Sequence, residues 1–233
     1  MDGGRPGGHA LPEAPGRGTR LLIVDDHAVF ADSLSMALGA QPDFTVAGTA
    51  TSLAEARALV VSAAPDVVLL DHRLPDGLGV DAIGDLKRLR PSVDVVVLTA
   101  AAEDAMLVTA TEAGCAGFIL KTSPLDELVA AVRTAAAGEI SVSSELLARL
   151  LNRLQQQHSG PVTDLTAREL EILQLIAEGL TNGAIATRLF ISVNTVRNHV
   201  QGVLSKLGAH SKLEALSIAI RDGIIDPPGP APA

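Results

Sequence analysis

Apolar and polar positions alternate along the first half of this chain in a repeating order. Short apolar runs are separated by longer stretches in which hydrophobic residues recur every three or four positions. Leu21–Val24, Val67–Leu70, Val95–Leu98 and Phe118–Leu120 are continuous apolar runs, as strands buried on both faces of a parallel sheet require. Phe44-Thr45-Val46-Ala47 alternates instead and reads as an edge strand. Between the runs, Phe30, Leu34 and Leu38 mark one helix, Ser52 to Ala63 a second, and Val80, Ile83 and Leu86 a third that Pro91 ends. Glu103–Ala113 reads as a fourth, stopped by Gly114, and Leu125, Leu128, Val129 and Val132 mark a fifth. Five strand–helix units predict right-handed βαβ crossovers and a parallel α/β sheet over residues 20–140.

The pattern then changes. Leu146, Leu147, Leu150, Leu151 and Leu154 form one stripe, which predicts an amphipathic helix within 141–160 that needs a partner surface. His158-Ser159-Gly160-Pro161 breaks it. From Thr166 to Arg221 the periodicity is helical throughout, so residues 161–226 form a small all-α domain. Residues 1–19 are rich in Gly and Pro and residues 227–233 in Pro and Ala, and both read as disordered tails.

Composition narrows the picture in three ways. Aromatics are only 2%, with no Trp or Tyr, so the cores must be built from Leu, Val, Ile and Ala. The net charge of -9 is uneven: residues 21–140 carry 17 acidic against 7 basic side chains, residues 161–233 carry 7 against 6. Any case for nucleic-acid binding must therefore be local. The single cysteine, Cys115, rules out an intrachain disulfide and reads as a small buried filler. No apolar stretch approaches the ~20 residues of a membrane span, and no signal-peptide core stands at the N-terminus, so a cytoplasmic protein with no membrane partner is expected.

Each buried run stops at a polar residue of a different kind: Asp25 and Asp26, Asp71, Thr99, Lys121. In an open parallel sheet, ligands sit at the carboxyl ends of the strands. Three carboxylates, a hydroxyl and an ammonium at one rim suit a divalent cation and a phosphoryl group. A carboxylate can attack phosphorus to give an acyl phosphate, and magnesium, which prefers carboxylate and phosphate oxygens, offsets the repulsion between them.

The segments LLIVDDH, VVLLDHRLPDGLG, VVVLTA and GFILKTSP together resemble the receiver domain of bacterial response regulators. That resemblance implies a flavodoxin-like sheet with the strand order 2-1-3-4-5. It implies Asp71 as phosphoacceptor, with Asp26, Asp25, Asp71 and the main-chain carbonyl of Arg73 around Mg2+. Thr99 and Lys121 would support the phosphoryl group. Phe118 falls at the family's switch-aromatic position, though plain core packing accounts for it equally well. His72 reads as a loop residue. Thr122-Ser123-Pro124 departs by one residue from the commoner Lys-x-Pro turn, which leaves the isomer of its proline bond open. A phosphatase with an aspartyl nucleophile is the rival chemistry. It needs an acid two residues after the nucleophile, where this chain has Arg73, so no enzyme activity is expected.

In the second half, Thr166 and Glu169 fit a capping box and Leu165 with Leu170 a hydrophobic staple. A second helix starts near Thr181-Asn182, and a third runs from Ser192 to Leu207 with Gly208 as its stop. On the third, Val196, Val200, Val203, Leu204 and Leu207 share one face, and Asn194, Asn198, Gln201 and Ser205 the other. Between Gly179 and Leu213 there is no acidic residue, while Arg188, Arg197, Lys206 and Lys212 give a local charge of +4. That suits a phosphate backbone. The run from Leu165 to Leu216 resembles the LuxR-type helix-turn-helix domain of NarL/FixJ-family regulators. The resemblance places the third helix in the major groove of double-stranded DNA. Arg197, Asn198 and Gln201 would read bases, with Asn182, Thr195, His199 and Lys206 on phosphates. The fourth helix would then serve a homodimer. Gly202, inside the reading helix, either lets the backbone approach DNA or loosens the helix. The whole chain is thus expected to be a two-component response regulator, phosphorylated by a sensor histidine kinase. The alternative is a constitutive transcription factor whose receiver only dimerises.

Overall fold

The computed structural model describes residues 18–101, 103–155 and 164–226. The expected break at His158–Pro161 and most of both tails lie outside these. Five strands form one parallel sheet: β1 (Thr19–Val24), β2 (Phe44–Ala50), β3 (Val67–Asp71), β4 (Asp94–Thr99) and β5 (Gly117–Leu120), in the order β2-β1-β3-β4-β5. This is the 2-1-3-4-5 order, with the alternating segment at an edge as its pattern requires. β1 begins at Thr19, one residue inside the stretch assigned to the tail, because its N–H donates to the Asp43 carbonyl at 2.8 Å.

Alternate residues of the central strands feed two separate cores. Leu21, Ile23, Val67, Leu69, Val96 and Leu98 pack under α1 (Ala28–Gly39) and α5 (Leu125–Ala136). Leu22, Val24, Val68, Leu70, Val95 and Val97 pack on the other face, under α2 (Leu53–Ser62), α3 (Gly79–Leu89) and α4 (Asp104–Glu112). β3 is buried along its whole length, so it ends with Asp71 at the centre of the carboxyl rim.

The stripe of leucines lies on α6 (Ser144–Gln155). The expected helix started at Ser141, and here the structure differs. Ser141 extends the sheet edge beside β5, donating to the Ala116 carbonyl at 3.0 Å and accepting from the Phe118 N–H at 2.8 Å. The open edge of β5 offers ladder partners that a first helical turn would leave unused. Gly117 makes the close pairing possible, since a Cβ there would stand 1.9 Å from the Ser141 carbonyl oxygen.

Four helices follow: α7 (Ala167–Ala177), α8 (Asn182–Leu189), α9 (Val193–Leu207) and α10 (Lys212–Arg221). Each start carries a hydroxyl cap, from Thr166, Thr181, Ser192 and Ser211 in turn, and the Thr166–Glu169 capping box is complete. Ile172, Ile176, Ile185, Val196 and Val200 form the core of this unit. Leu213, Leu216, Ala219 and Ile220 of α10 belong instead to a core continuous with α4, α6 and the α2–α4 face of the sheet. The helical unit is therefore packed against the receiver-like unit over an apolar surface.

Candidate phosphoacceptor pocket and nucleic-acid interface

The strand ends bring Asp25, Asp26, Asp71 and Lys121 together. One oxygen from each carboxylate, with the His27 ring nitrogen, falls within a mutual 4.8 Å. The Lys121 ammonium stands 2.7 Å from Asp71 Oδ2 and 2.7 Å from Asp25 Oδ2. It lies 5.2 Å from the Phe30 ring centre, a cation–π contact that helix periodicity alone does not announce. Burial pulls the Lys121 ammonium down, but its pairing with Asp25 and Asp71 outweighs this and holds it above the ordinary lysine value. A cation is therefore kept at this rim at neutral pH.

The pocket fits a divalent cation on its own chemistry. Its donors are hard carboxylate oxygens. Asp25 is fully buried, and its Oδ2 is paired with the Lys121 ammonium at 2.7 Å. Three carboxylates share this single ammonium, and the surplus negative charge beside the buried Asp25 is costly unless a further cation offsets it.

The remaining expected residues are placed as follows. Thr99 is buried at the end of β4 and lines the same cavity, of about 220 Å3, with Asp71, His72, Arg73 and Lys121. Its hydroxyl donates to the Ala101 carbonyl at 2.7 Å. Phe118 is buried in the core on β5. Arg73 projects into solvent from a two-residue antiparallel ladder in which it pairs with Leu78. The peptide bond before Pro124 is trans. Cys115 is wholly buried, and burial pushes its thiol up to about 12, so it is an inert filler.

Asp76, in the loop that follows Asp71, has a structural task that the sequence pattern does not reveal. Its carboxylate accepts from the Leu53 and Ala54 N–H groups at 2.8 and 3.0 Å, which caps α2 and anchors the loop after Asp71. These bonds, the one from Leu53 foremost, hold Asp76 below the usual carboxylate value. An Asp in a turn is too common to signal such a tether.

On α9, Arg197, Asn198 and Gln201 are exposed, and Val196, Val200 and Val203 are buried. Arg197 and Gln201 face a cleft of about 720 Å3 whose far wall is Pro91, Ser92, Ala137 and Gly138 of the receiver-like unit. That volume suits a small molecule, whereas a duplex groove must accept a whole helix. Asn182 is buried: its N–H donates to Glu139 at 3.0 Å and its side-chain oxygen accepts from Lys212 at 2.8 Å. Lys212 also pairs with Glu139 at 2.5 Å. Beside this cluster, the Ser211 hydroxyl donates to the Cys115 carbonyl at 2.8 Å, and the buried Lys87 ammonium donates to the Val93 and His210 carbonyls. Lys206 is held by Glu169 at 2.7 Å, Thr195 by the Ser192 cap, and His199 is half-buried. None of Glu139, Lys87 or Ser211 was legible as an interface residue, since each partner lies far away in sequence.

Gly202 has a different use from either one expected. A Cβ there would come within 2.7 Å of Glu169 Oε1, so the glycine makes room for the capping-box carboxylate.

Comparison with known proteins agrees with this geometry. Residues 21–133 match the response regulator receiver domain, and residues 163–219 match the luxR family of bacterial regulatory proteins. The DNA-binding transcriptional activator DevR/DosR of Mycobacterium tuberculosis is 37% identical over 215 residues, spanning 91% of this chain and 99% of that protein. The transcriptional regulatory protein LiaR of Bacillus subtilis is 37% identical over 211 residues, spanning 89% and 99%. A solved LuxR-family two-component response regulator from Aurantimonas aligns with 59% of this chain and 98% of its own at 26% identity and a TM-score of 0.55. The chain therefore belongs to the NarL/FixJ-family response regulators, a receiver domain followed by a LuxR-type DNA-binding domain.

Proposed function

We propose that Asp71 accepts a phosphoryl group from a partner sensor histidine kinase, and that this frees the LuxR-type domain to bind double-stranded DNA as a homodimer in the cytoplasm. The observation that carries the first step is the 2.7 Å pairing of Lys121 with Asp71 beside the buried Asp25 carboxylate. A carboxylate oxygen of Asp71 forms the new P–O bond as the P–N bond of the donor's phosphohistidine breaks, and the departing imidazole takes a proton. Asp25, Asp26, Asp71 and the Arg73 carbonyl would hold Mg2+, which neutralises charge between the two reacting anions. Lys121 and the Thr99 hydroxyl then have the right chemistry to hold the phosphoryl oxygens, and for that the hydroxyl must leave the Ala101 carbonyl. No helix among the described residues is long and apolar enough to cross a membrane.

The second step rests on the closed packing of the two domains. Asn182 is spent on Glu139 and Lys212, Arg197 and Gln201 face the receiver, and α10 is covered by α4 and α6. Domain separation is the move that exposes all three together. Mass spectrometry after incubation with Mg2+ and a small phosphodonor tests the first step. One added phosphoryl group, mapped to Asp71 and absent from Asp71→Asn, is expected. No addition, or addition elsewhere, overturns it. A constitutive regulator with an inert receiver would keep full regulation in cells as Asp71→Asn.

A further inference from the structure

The residue that follows the acidic pair does not do the work its position calls for. His27 is the N-cap of α1, a place where Ser, Thr, Asp or Asn normally accepts a bond from the first helical turn. The His27 side chain makes no such bond. Its ring turns back over the pocket, with Nδ1 2.9 Å from Asp26 Oδ1 and 3.2 Å from Asp25 Oδ1. The His27 N–H donates to the same Asp25 oxygen at 2.9 Å, which ties the backbone of the ring to the carboxylate it faces. On the other side, Asp25 Oδ2 is paired with the Lys121 ammonium at 2.7 Å, so Oδ1 is the oxygen that Asp25 turns toward the ring.

These separations have a meaning in coordination chemistry. In an octahedral shell with bonds of roughly 2.1 Å, neighbouring donors stand about 3 Å apart. Nδ1 is one such edge from both Asp26 Oδ1 and Asp25 Oδ1. The donor set Asp25, Asp26, His27 and Asp71, within 4.8 Å overall, is somewhat wider than the shell, and side-chain rotation of the exposed Asp26 and His27 closes the difference. The other imidazole nitrogen can keep its proton toward solvent, since the ring is 70% exposed.

We propose that His27 is a direct ligand of the divalent cation in the receiver pocket, taking a position that an all-oxygen pocket leaves to water. This rests on the acidic pocket being the metal site of the proposed phosphoryl transfer. An imidazole nitrogen added to carboxylates moves preference from magnesium toward nickel, zinc and other later divalent ions. The class of cofactor is thus a borderline transition ion as well as Mg2+, and His27 is the residue that sets the balance.

The test uses the full-length chain loaded with Mn2+ and examined by pulsed electron paramagnetic resonance for coupling to a nitrogen nucleus. The coupling is expected in the wild type and in His72→Ala, and is expected to vanish in His27→Ala while Mn2+ still binds. In parallel titrations, His27→Ala is expected to lose roughly tenfold or more in Ni2+ affinity, and to change Mg2+ affinity less. Bound Mn2+ without nitrogen coupling in the wild type overturns the proposal and leaves the phosphoacceptor reading intact. So does coupling that survives in His27→Ala. Undiminished Mn2+ binding by Asp26→Asn overturns both, because the cation is then not in this pocket.

Discussion

Single side chains divide into those whose task shows in the sequence and those whose task depends on a distant neighbour. The convergence of Asp25, Asp26, Asp71, Thr99 and Lys121 was legible because each follows or ends a buried strand, and a parallel sheet gathers strand ends at one rim. Gly202 was not, because the carboxylate it accommodates belongs to α7. Glu169 shows what that carboxylate does: it closes the capping box and pairs with Lys206. The Lys206 ammonium foremost, with the Thr166 N–H, holds Glu169 at about 2, well below its ordinary value of 4.5. A depressed carboxylate stabilises the fold above its ordinary value, and the benefit fades as pH falls toward the folded value. Glu169→Gln should therefore lose stability at neutral pH, by about 1 kcal/mol from the lost cap. It should also fall less steeply than the wild type between pH 4.5 and about 2, read by chemical denaturation at each pH. Equal slopes would refute the assignment. Gly202→Ala should be nearly neutral by the same assay, since about 1 kcal/mol of helix propensity opposes displacement of a flexible carboxylate.

At the level of helices and strands, periodicity and caps located most units to within a residue or two, while the edge strand runs three residues beyond Ala47 and α6 starts three residues after Ser141. The hydroxyl caps of α7, α8 and α9 and the αL glycine at the end of α9 are local chemistry, visible without a fold. The start of α6 was misplaced because an open sheet edge is a tertiary fact: Ser141 pairs with β5 only once β5 exists. Two glycines carry that kind of information, Gly117 beside Ser141 and Gly79 beside Asp71. Gly79, at the start of α3, has no positive φ to explain it, yet a Cβ there would stand 2.0 Å from the Asp71 carbonyl oxygen. Gly79→Ala must push the end of β3 and with it Asp71. A loss of about 1–3 kcal/mol in stability is expected from overpacking. Phosphorylation measured by mass spectrometry should also be slower, beyond what Gly202→Ala shows as a control. Unchanged phosphorylation would mean that the β3 end tolerates the shift.

For the whole molecule, the order of domains was readable and their mutual packing was not. Glu139 and Lys212 are 73 positions apart, and nothing near either marks a pair. Their contact buries two charges, and such a pair is expensive to break from one side, by about 3–5 kcal/mol. In Glu139→Ala that cost falls on the closed form alone, because Lys212 would be left buried without its partner. Opening the domains relieves it and releases Asn182 as well. The most direct measurement is fluorescence anisotropy of a labelled duplex, selected from a random pool by the phosphorylated protein, titrated with three forms of the full-length chain. Unphosphorylated wild type should bind roughly tenfold or more weakly than both phosphorylated wild type and unphosphorylated Glu139→Ala, the size of an ordinary allosteric coupling. Equal affinity in all three would contradict the claim that the receiver holds the DNA-reading domain closed until Asp71 is phosphorylated.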